Sequence, residues 1–262
     1  MLSAPKHFVA NNEEYRRHSG SSEVPLKILR DYYLPAFRSS IVDAGAQSIM
    51  TAYNALNGVP CTANEFLLKD ILRKEWKFPG WVVTDCGAIY DIHINHKYVD
   101  DPVEAAAISL KAGTDLNCGS YFRLYLKEAY ERGLVTMNDI DQALIRLFAS
   151  RVKLGVFDPP ELNPYSKIPR DVVDSKSHQE LALEIARQSI VLLKNQKNML
   201  PLKKSVESVA VIGPNANFCR FGTYSGKPSI EITPLEGIKN IIPNADIVYA
   251  QGTTILETEL PN

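Results

Sequence analysis

The sequence predicts an α/β protein built on a parallel sheet, and three observations predict it. Strand-like runs at residues 6–9, 47–53, 81–85 and 114–118 recur at roughly 35-residue spacing, each followed by a helical pattern, as βαβ units require. The run Trp81-Val82-Val83-Thr84-Asp85-Cys86-Gly87 is apolar until it ends abruptly in a carboxylate and a turn glycine. Beyond a proline-rich interruption, Val209-Ala210-Val211-Ile212-Gly213-Pro214 reads as the first strand of a second α/β domain.

The helices between the runs carry their own boundaries. After the second run, Asn64 is placed to cap a helix whose apolar face is Leu67, Leu68, Ile71, Leu72 and Trp76, with Pro79-Gly80 as its stop. Asp101 caps the next helix, Pro102 takes its first position and Gly113 closes it immediately before the 114–118 run. Thr136 and Asp139 stand at capping-box spacing, ahead of a face of Ile140, Leu144, Leu147, Phe148 and Val152 that stops at Gly155. Pro159, Pro160, Pro164 and Pro169 then break any periodicity, which predicts a surface loop over 157–174. Ser177 and Glu180 predict a capping box for a helix through about Asn195. One short helix over 235–241 and one strand over 246–250 complete the pattern after the 209–212 strand.

Apolar residues make up 45% of the 262, charged residues 23%, and the net charge is −1, which gives no electrostatic bias toward nucleic acid or a membrane surface. No apolar run is long enough to cross a bilayer, and the first residues lack the apolar core of a signal peptide. Cys61, Cys86, Cys118 and Cys219 form no CxxC pair and no zinc spacing, so a structural metal is not expected; separately, no cofactor is expected. Active sites of α/β folds gather at the C-terminal ends of the strands, which makes Asp85 the leading catalytic candidate. An aspartate at a strand end also commonly starts a turn, and the residues by themselves leave both roles open.

Five motifs in a fixed order carry a resemblance across nearly the whole chain: Lys6-His7-Phe8, Met50-Thr51-Ala52-Tyr53-Asn54, Val82-Val83-Thr84-Asp85-Cys86, Gly113-Thr114-Asp115-Leu116-Asn117-Cys118-Gly119 and Val211-Ile212-Gly213-Pro214-Asn215-Ala216. The sequence resembles glycoside hydrolase family 3, in particular its β-xylosidase and β-glucosidase members. The resemblance implies a partial (β/α)8 TIM-like barrel over residues 1–156, a linker and connecting helix over 157–205, and the incomplete start of an α/β sandwich over 206–262. It implies a retaining exo-β-glycosidase with Asp85 as nucleophile, acting on a β-linked oligosaccharide or aryl glycoside. A retaining enzyme needs one ionised carboxylate on the α face of the sugar and a protonated one ~5–5.5 Å away.

The same resemblance makes Lys6 and His7 donors to sugar hydroxyls, with Lys6 helping to keep Asp85 ionised. Met50 and Tyr53 line the sugar site, where a thioether and an aromatic edge can pack on a pyranose. Arg17 and His18 follow as in relatives, and a guanidinium there either touches a hydroxyl or makes a structural ion pair. Cys86 and Cys118, at the tips of neighbouring strands ~4.8 Å apart, are within reach of a disulfide beside the nucleophile. Cysteine directly after the nucleophile is similar to the xylosidase-like members, so xylose is the expected sugar. Asp115 is expected to anchor a loop.

The resemblance also implies that three barrel strands precede this stretch and that the acid/base glutamate follows it. Glu231, Glu236, Glu257 and Glu259 are accordingly read as solvated side chains, and no acid/base is assigned. Val9-Ala10-Asn11-Asn12 stands where the N-acetylhexosaminidase-like members carry a histidine acid, which argues against that subgroup. Family members point to a periplasmic or secreted location. Two other readings compete: a catalytically silent carbohydrate-binding or assembly piece associating through unpaired barrel or sheet edges, and an aldolase-like barrel using Lys6 as a Schiff-base amine. The latter explains neither the Asp85 motif nor the second-domain strand.

Overall fold

The computed structural model describes residues 2–256, so Glu257 and Glu259 lie outside the described residues. The chain forms two compact units, with the boundary between Pro164 and Tyr165. In the first, β1 (Ser21–Ser22), β3 (Ala55–Leu56) and β4 (Val59–Pro60) make a small sheet, while β2 (Ser48–Thr51) and β5 (Trp81–Thr84) pair in parallel.

Two further segments extend that parallel pair. Phe8 bridges to Thr51 and Leu116 bridges to Val83, both in parallel, so the order across the sheet is the order along the chain. The Phe8 N–H donates to the Met50 carbonyl at 2.8 Å, and the Leu116 N–H donates to the Val82 carbonyl at 3.0 Å. The first and last of the predicted strands are therefore single bridges, while the middle two form as expected. Mixed α/β architecture follows.

Side chains alternate across a strand, so Ile49 and Val82 face one layer and Met50 and Val83 the other. Ile49 and Val82 bury against Leu67, Leu68, Ile71 and Leu72 of the Phe66–Glu75 helix, with Phe8 completing the core and Trp76 packed on its margin. The Phe66–Glu75 helix has wide π-type turns, and Asn64 accepts from the Leu67 N–H at 3.1 Å at its entry. The Pro102–Ala112 helix is capped by Asp101, whose carboxylate accepts from Val103 N–H at 2.8 Å, and it ends at Gly113. It packs on the Tyr121–Glu131 and Met137–Lys153 helices through Val103, Ala107, Leu110, Ala129, Val135 and Ala143.

The Met137–Lys153 helix has the predicted Thr136–Asp139 capping box, but its buried line is rotated from the expected one. Ala143 and Ser150 are buried, whereas Leu144, Phe148 and Val152 are exposed. Small residues let this helix approach its neighbours closely, and apolar periodicity alone does not separate that line from the bulkier one beside it.

In the second unit, β6 (Ser208–Ile212) pairs in parallel with β7 (Asp246–Ala250), and the Pro234–Ile241 helix crosses between them. Val211, Ala216 and Leu235 form its core. The Thr233–Glu236 capping box opens that helix, so Glu236 spends its carboxylate on the Thr233 N–H and hydroxyl rather than on solvent alone. The Lys176–Ser189 helix starts one residue before Ser177 and stops short of Asn195. Ser177 meets the Ser175 hydroxyl at 3.1 Å and no side chain caps the helix, so the expected box does not form. Over 157–174 the chain makes short 3-10 turns at Pro160–Leu162, Pro164–Lys167 and Arg170–Val172, each begun at or next to a proline that fixes the entering backbone.

Candidate active site

β5 ends at Thr84, so Asp85 is the first residue beyond the strand, at its C-terminal edge. Its N–H donates to the Thr51 carbonyl of β2 at 3.1 Å, and its carbonyl accepts from Ala88 at 3.1 Å. Between them Gly87 takes φ 86°, a conformation that costs glycine little and lets the chain turn directly into the Ala88–Ile94 helix. Asp85 is 7% exposed, a carboxylate held at a strand tip and facing inward.

Both carboxylate oxygens have partners. Oδ1 accepts from the Cys86 N–H at 2.7 Å, and Oδ2 lies 3.0 Å from His7 Nε2. Burial pushes the His7 imidazole below its ordinary 6.5, more strongly than Asp85 raises it, and Lys6 and Arg17 push the same way as burial. A neutral imidazole carrying its proton on Nε2 donates to Oδ2, so His7 acts as a hydrogen-bond donor rather than an ion.

Tyr53 closes the other side. Its hydroxyl donates to the Cys86 carbonyl at 2.9 Å, and burial together with Asp85 pushes its pKa up to about 12. The phenol thus keeps its proton. Arg17 stacks its guanidinium 4.8 Å from the Tyr53 ring centroid while pairing with Glu14 at 2.9 Å, so it makes both a structural ion pair and one wall of the site. Met50, half-buried on β2, holds Phe8 through its backbone. Lys6, exposed at the edge, is near enough to His7 to act on its pKa. Cys86 and Cys118 are disulfide-bonded with Cα atoms 4.4 Å apart, and the Gly87 N–H donates to the Cys118 carbonyl at 2.8 Å.

Three neighbours escaped the sequence reading or its site assignment. Buried Asp91 accepts from His18 Nδ1 at 2.7 Å, His18 stacks 4.3 Å from the Tyr53 ring centroid, and His96 Nε2 lies 2.8 Å from the Tyr53 carbonyl. The available signal was Asp91 itself, an acid set between Ile89 and Ile92 on the buried side of a short helix. Asp115 belongs to another network: its carboxylate pairs with Arg73 at 2.9 Å and Arg146 at 2.7 Å and accepts from the Val82 N–H at 2.8 Å. It fastens the 114–118 segment to β5 and does not face Asp85's partners. Among the described residues no cluster of His, Cys, Asp or Glu has metal-holding geometry.

A buried carboxylate at a parallel-strand tip, met by His7 and flanked by Tyr53 and Arg17, makes a polar site at the C-terminal edge of an α/β sheet, where such folds place their functional residues. The family models "Glycosyl hydrolase family 3 N terminal domain" and "Glycosyl hydrolase family 3 C-terminal domain" match residues 1–149 and 190–259. The chain belongs to glycosyl hydrolase family 3. It is 46% identical over 264 residues to a probable exo-1,4-beta-xylosidase of Neosartorya fischeri, covering 97% of this chain and 34% of that protein. With a xylan 1,4-beta-xylosidase of Xylanibacter ruminicola the identity is 41%, covering 96% and 30%. Among solved structures it is similar to a GH3 exo-beta-xylosidase in complex with a xylobiose aziridine activity-based probe, at TM-score 0.87, 38% identity, and 97% and 34% coverage. A β-glucosidase from Erythrobacter marinus matches at TM-score 0.84, 32% identity, and 98% and 35% coverage. The chain thus spans about a third of the length of the relatives it matches.

Proposed function

We propose that this chain carries the nucleophile side of a retaining exo-β-glycosidase site of β-xylosidase type. In this reading Asp85 Oδ2 attacks the anomeric carbon, the glycosidic C–O bond breaks, and the leaving oxygen takes a proton from a general acid. Water then cleaves the glycosyl-aspartate ester. Lys6, His7 and Arg17 hold sugar hydroxyls, Tyr53 and Met50 pack on the ring, and the four parallel segments are part of a (β/α)8-like barrel. The observation that carries this is the Asp85 carboxylate itself, 7% exposed at the strand tip, with the Cys86 N–H on one oxygen and the His7 imidazole on the other. Such a group can exchange the His7 bond for a carbon electrophile, whereas Asp115, locked between two guanidiniums, cannot.

The test is to incubate the chain with 2-fluoro-β-xyloside and 2-fluoro-β-glucoside bearing dinitrophenyl leaving groups, then to map labelled peptides by mass spectrometry. These leaving groups need little acid assistance, which isolates the nucleophile. A xylosyl adduct on Asp85, absent from Asp85→Asn, is the expected result. A faster glucosyl adduct would change the sugar, and no adduct on folded protein would remove the catalytic assignment in favour of a silent binding or assembly role.

A further inference from the structure

Asp91 is a buried carboxylate that the reading above does not use, and both its side chain and its backbone lead to Tyr53. Its Oδ2 accepts from His18 Nδ1 at 2.7 Å, and the His18 ring lies 4.3 Å from the Tyr53 ring centroid. Its backbone carbonyl accepts from the His96 N–H at 2.7 Å, and His96 Nε2 donates to the Tyr53 carbonyl at 2.8 Å. One residue thus reaches the ring of Tyr53 through one histidine and its backbone through another. Arg17 adds a third hold, its guanidinium 4.8 Å from the same centroid and paired with Glu14 at 2.9 Å.

Packing does not need this acid. Ile89 and Ile92 carry the buried side of the Ala88–Ile94 helix. Taking a carboxylate out of water is costly unless strong partners offset it. Asp115 has two guanidiniums, whereas Asp91 meets an imidazole and the Asn95 amide. His18 is itself 47% exposed, so the pair contributes little to holding a core together and is better suited to aiming a ring. Aim matters because the Tyr53 hydroxyl has one proton and two acceptors. It donates to the Cys86 carbonyl at 2.9 Å, and Asp85 acts on the same phenol both as a charge and as a hydrogen-bond partner. The helix bearing Asp91 is tied to the Asp85 turn as well, since the Asp91 N–H donates to the Gly87 carbonyl at 3.3 Å.

We propose that Asp91 and His18 are positioning residues for glycosyl transfer to Asp85, acting through Tyr53: they fix the tilt of its ring and so divide its hydroxyl proton between the Cys86 carbonyl and the Asp85 carboxylate. The inference rests on the Asp85 assignment above. Asp85 loses its charge as the ester forms, so a phenol swung fully onto the carboxylate stabilises the ionised ground state more than the transition state and slows attack. A hydroxyl kept on the Cys86 carbonyl leaves the attacking electron pair free. His18 can hold that tilt because its Nδ1–H is bonded to Asp91, and its ring cannot turn without breaking that bond. In this scheme neither residue touches the reacting atoms, and both act through one ring.

The experiment is a double-mutant cycle read by labelling. His18→Ala, Tyr53→Phe and the double variant are treated with the dinitrophenyl 2-fluoro-β-xyloside, and the second-order constant for labelling Asp85 is compared with the urea midpoint of each variant. His18→Ala is expected to lower the constant about 10-fold with an unmoved urea midpoint, and to cost nothing further once Tyr53 has lost its hydroxyl. No loss, the same loss in both backgrounds, or a loss that tracks a falling urea midpoint would overturn the positioning role. Fluorine NMR of 3-fluorotyrosine-labelled protein reads the ring directly, the Tyr53 signal being the one absent from Tyr53→Phe. A shift or splitting of that signal in both His18→Ala and Asp91→Ala supports the hold on Tyr53 even where Asp85 takes no label, and then places the failure on the Asp85 assignment. An unmoved Tyr53 signal overturns the inference whether or not Asp85 is labelled.

Discussion

Removing the Asp115 charge should cost the first unit about 3 kcal/mol, because it strands two guanidiniums in a mostly dry site. The Asp115 side chain is fully buried, and its partners Arg73 and Arg146 are 20% and 25% exposed. Asp115→Asn preserves shape but leaves both cations uncompensated, and breaking a buried pair from one side costs ~3–5 kcal/mol. Partial access of both arginines to water puts the value at the low end. Burial already brings Arg73 down to about 10 while Asp115 raises it, so removing the carboxylate makes the charged form less favourable still. Both tryptophans, Trp76 and Trp81, lie in the first unit, so urea unfolding followed by tryptophan fluorescence reads that unit specifically. A loss below ~1 kcal/mol would mean that the guanidiniums simply turn to solvent, and the network would then not be what fastens the 114–118 segment to β5.

Gly80 admits no side chain: a Cβ there would sit 2.1 Å from the Gln47 carbonyl oxygen and 2.7 Å from Phe78 Cζ. Gly80→Ala should therefore displace the start of β5 and lower urea stability by ~3 kcal/mol, whereas a change under ~0.5 kcal/mol would contradict the close approach. Reducing the Cys86–Cys118 bridge, which spans 32 residues, should lower stability by roughly 3–4 kcal/mol on the chain-entropy estimate, measured by urea unfolding with and without reductant. His7 sets a pH dependence whose sign follows from its lowered pKa. The folded state binds this proton less readily than the unfolded chain, so its contribution to stability is intact above 6.5 and is lost as the pH falls below that value. Asp85→Asn removes the carboxylate that raises His7, so imidazole NMR should show His7 titrating lower still, and an unchanged or higher midpoint would refute the pairing.

The legible parts of this molecule are those written by local chemistry. Asp101-Pro102 with Gly113, Asn64, and the Thr136–Asp139 spacing each announce a helix boundary through a side chain that bonds a backbone group within three residues. The place of Asp85 at a strand tip was legible because the apolar run breaks there at an acid and a turn glycine, whereas the residues alone left its role open between a turn and a site. What escaped depends on separation in sequence. The His18–Asp91 bond spans 73 residues, and nothing local at His18 points to its partner. The rotated face of the Met137–Lys153 helix escaped for a different reason. Ala143 and Ser150 are buried by the closeness of neighbouring helices, which is a tertiary fact, while Leu144 and Phe148 carry the stronger apolar signal.

Those long-range contacts also explain how a loop can be accurate enough to serve a site. The 9–20 stretch lies between the bridge at Phe8 and β1 and has no strand or helix of its own, yet it supplies Arg17 and His18. Asn54 donates to the carbonyls of Val9 and Ala55 at 3.2 and 2.9 Å, tying the stretch's first turn to the segment that follows Tyr53. Arg17 and His18 then stack on Tyr53, and Asp91 fixes His18 from the helix that begins three residues after Asp85. Tyr53 in turn donates to the carbonyl of Cys86. The positions of loop, ring and carboxylate are thus set by one closed circuit of bonds, and a site built this way depends on tertiary structure at every link except the strand tip on which Asp85 sits.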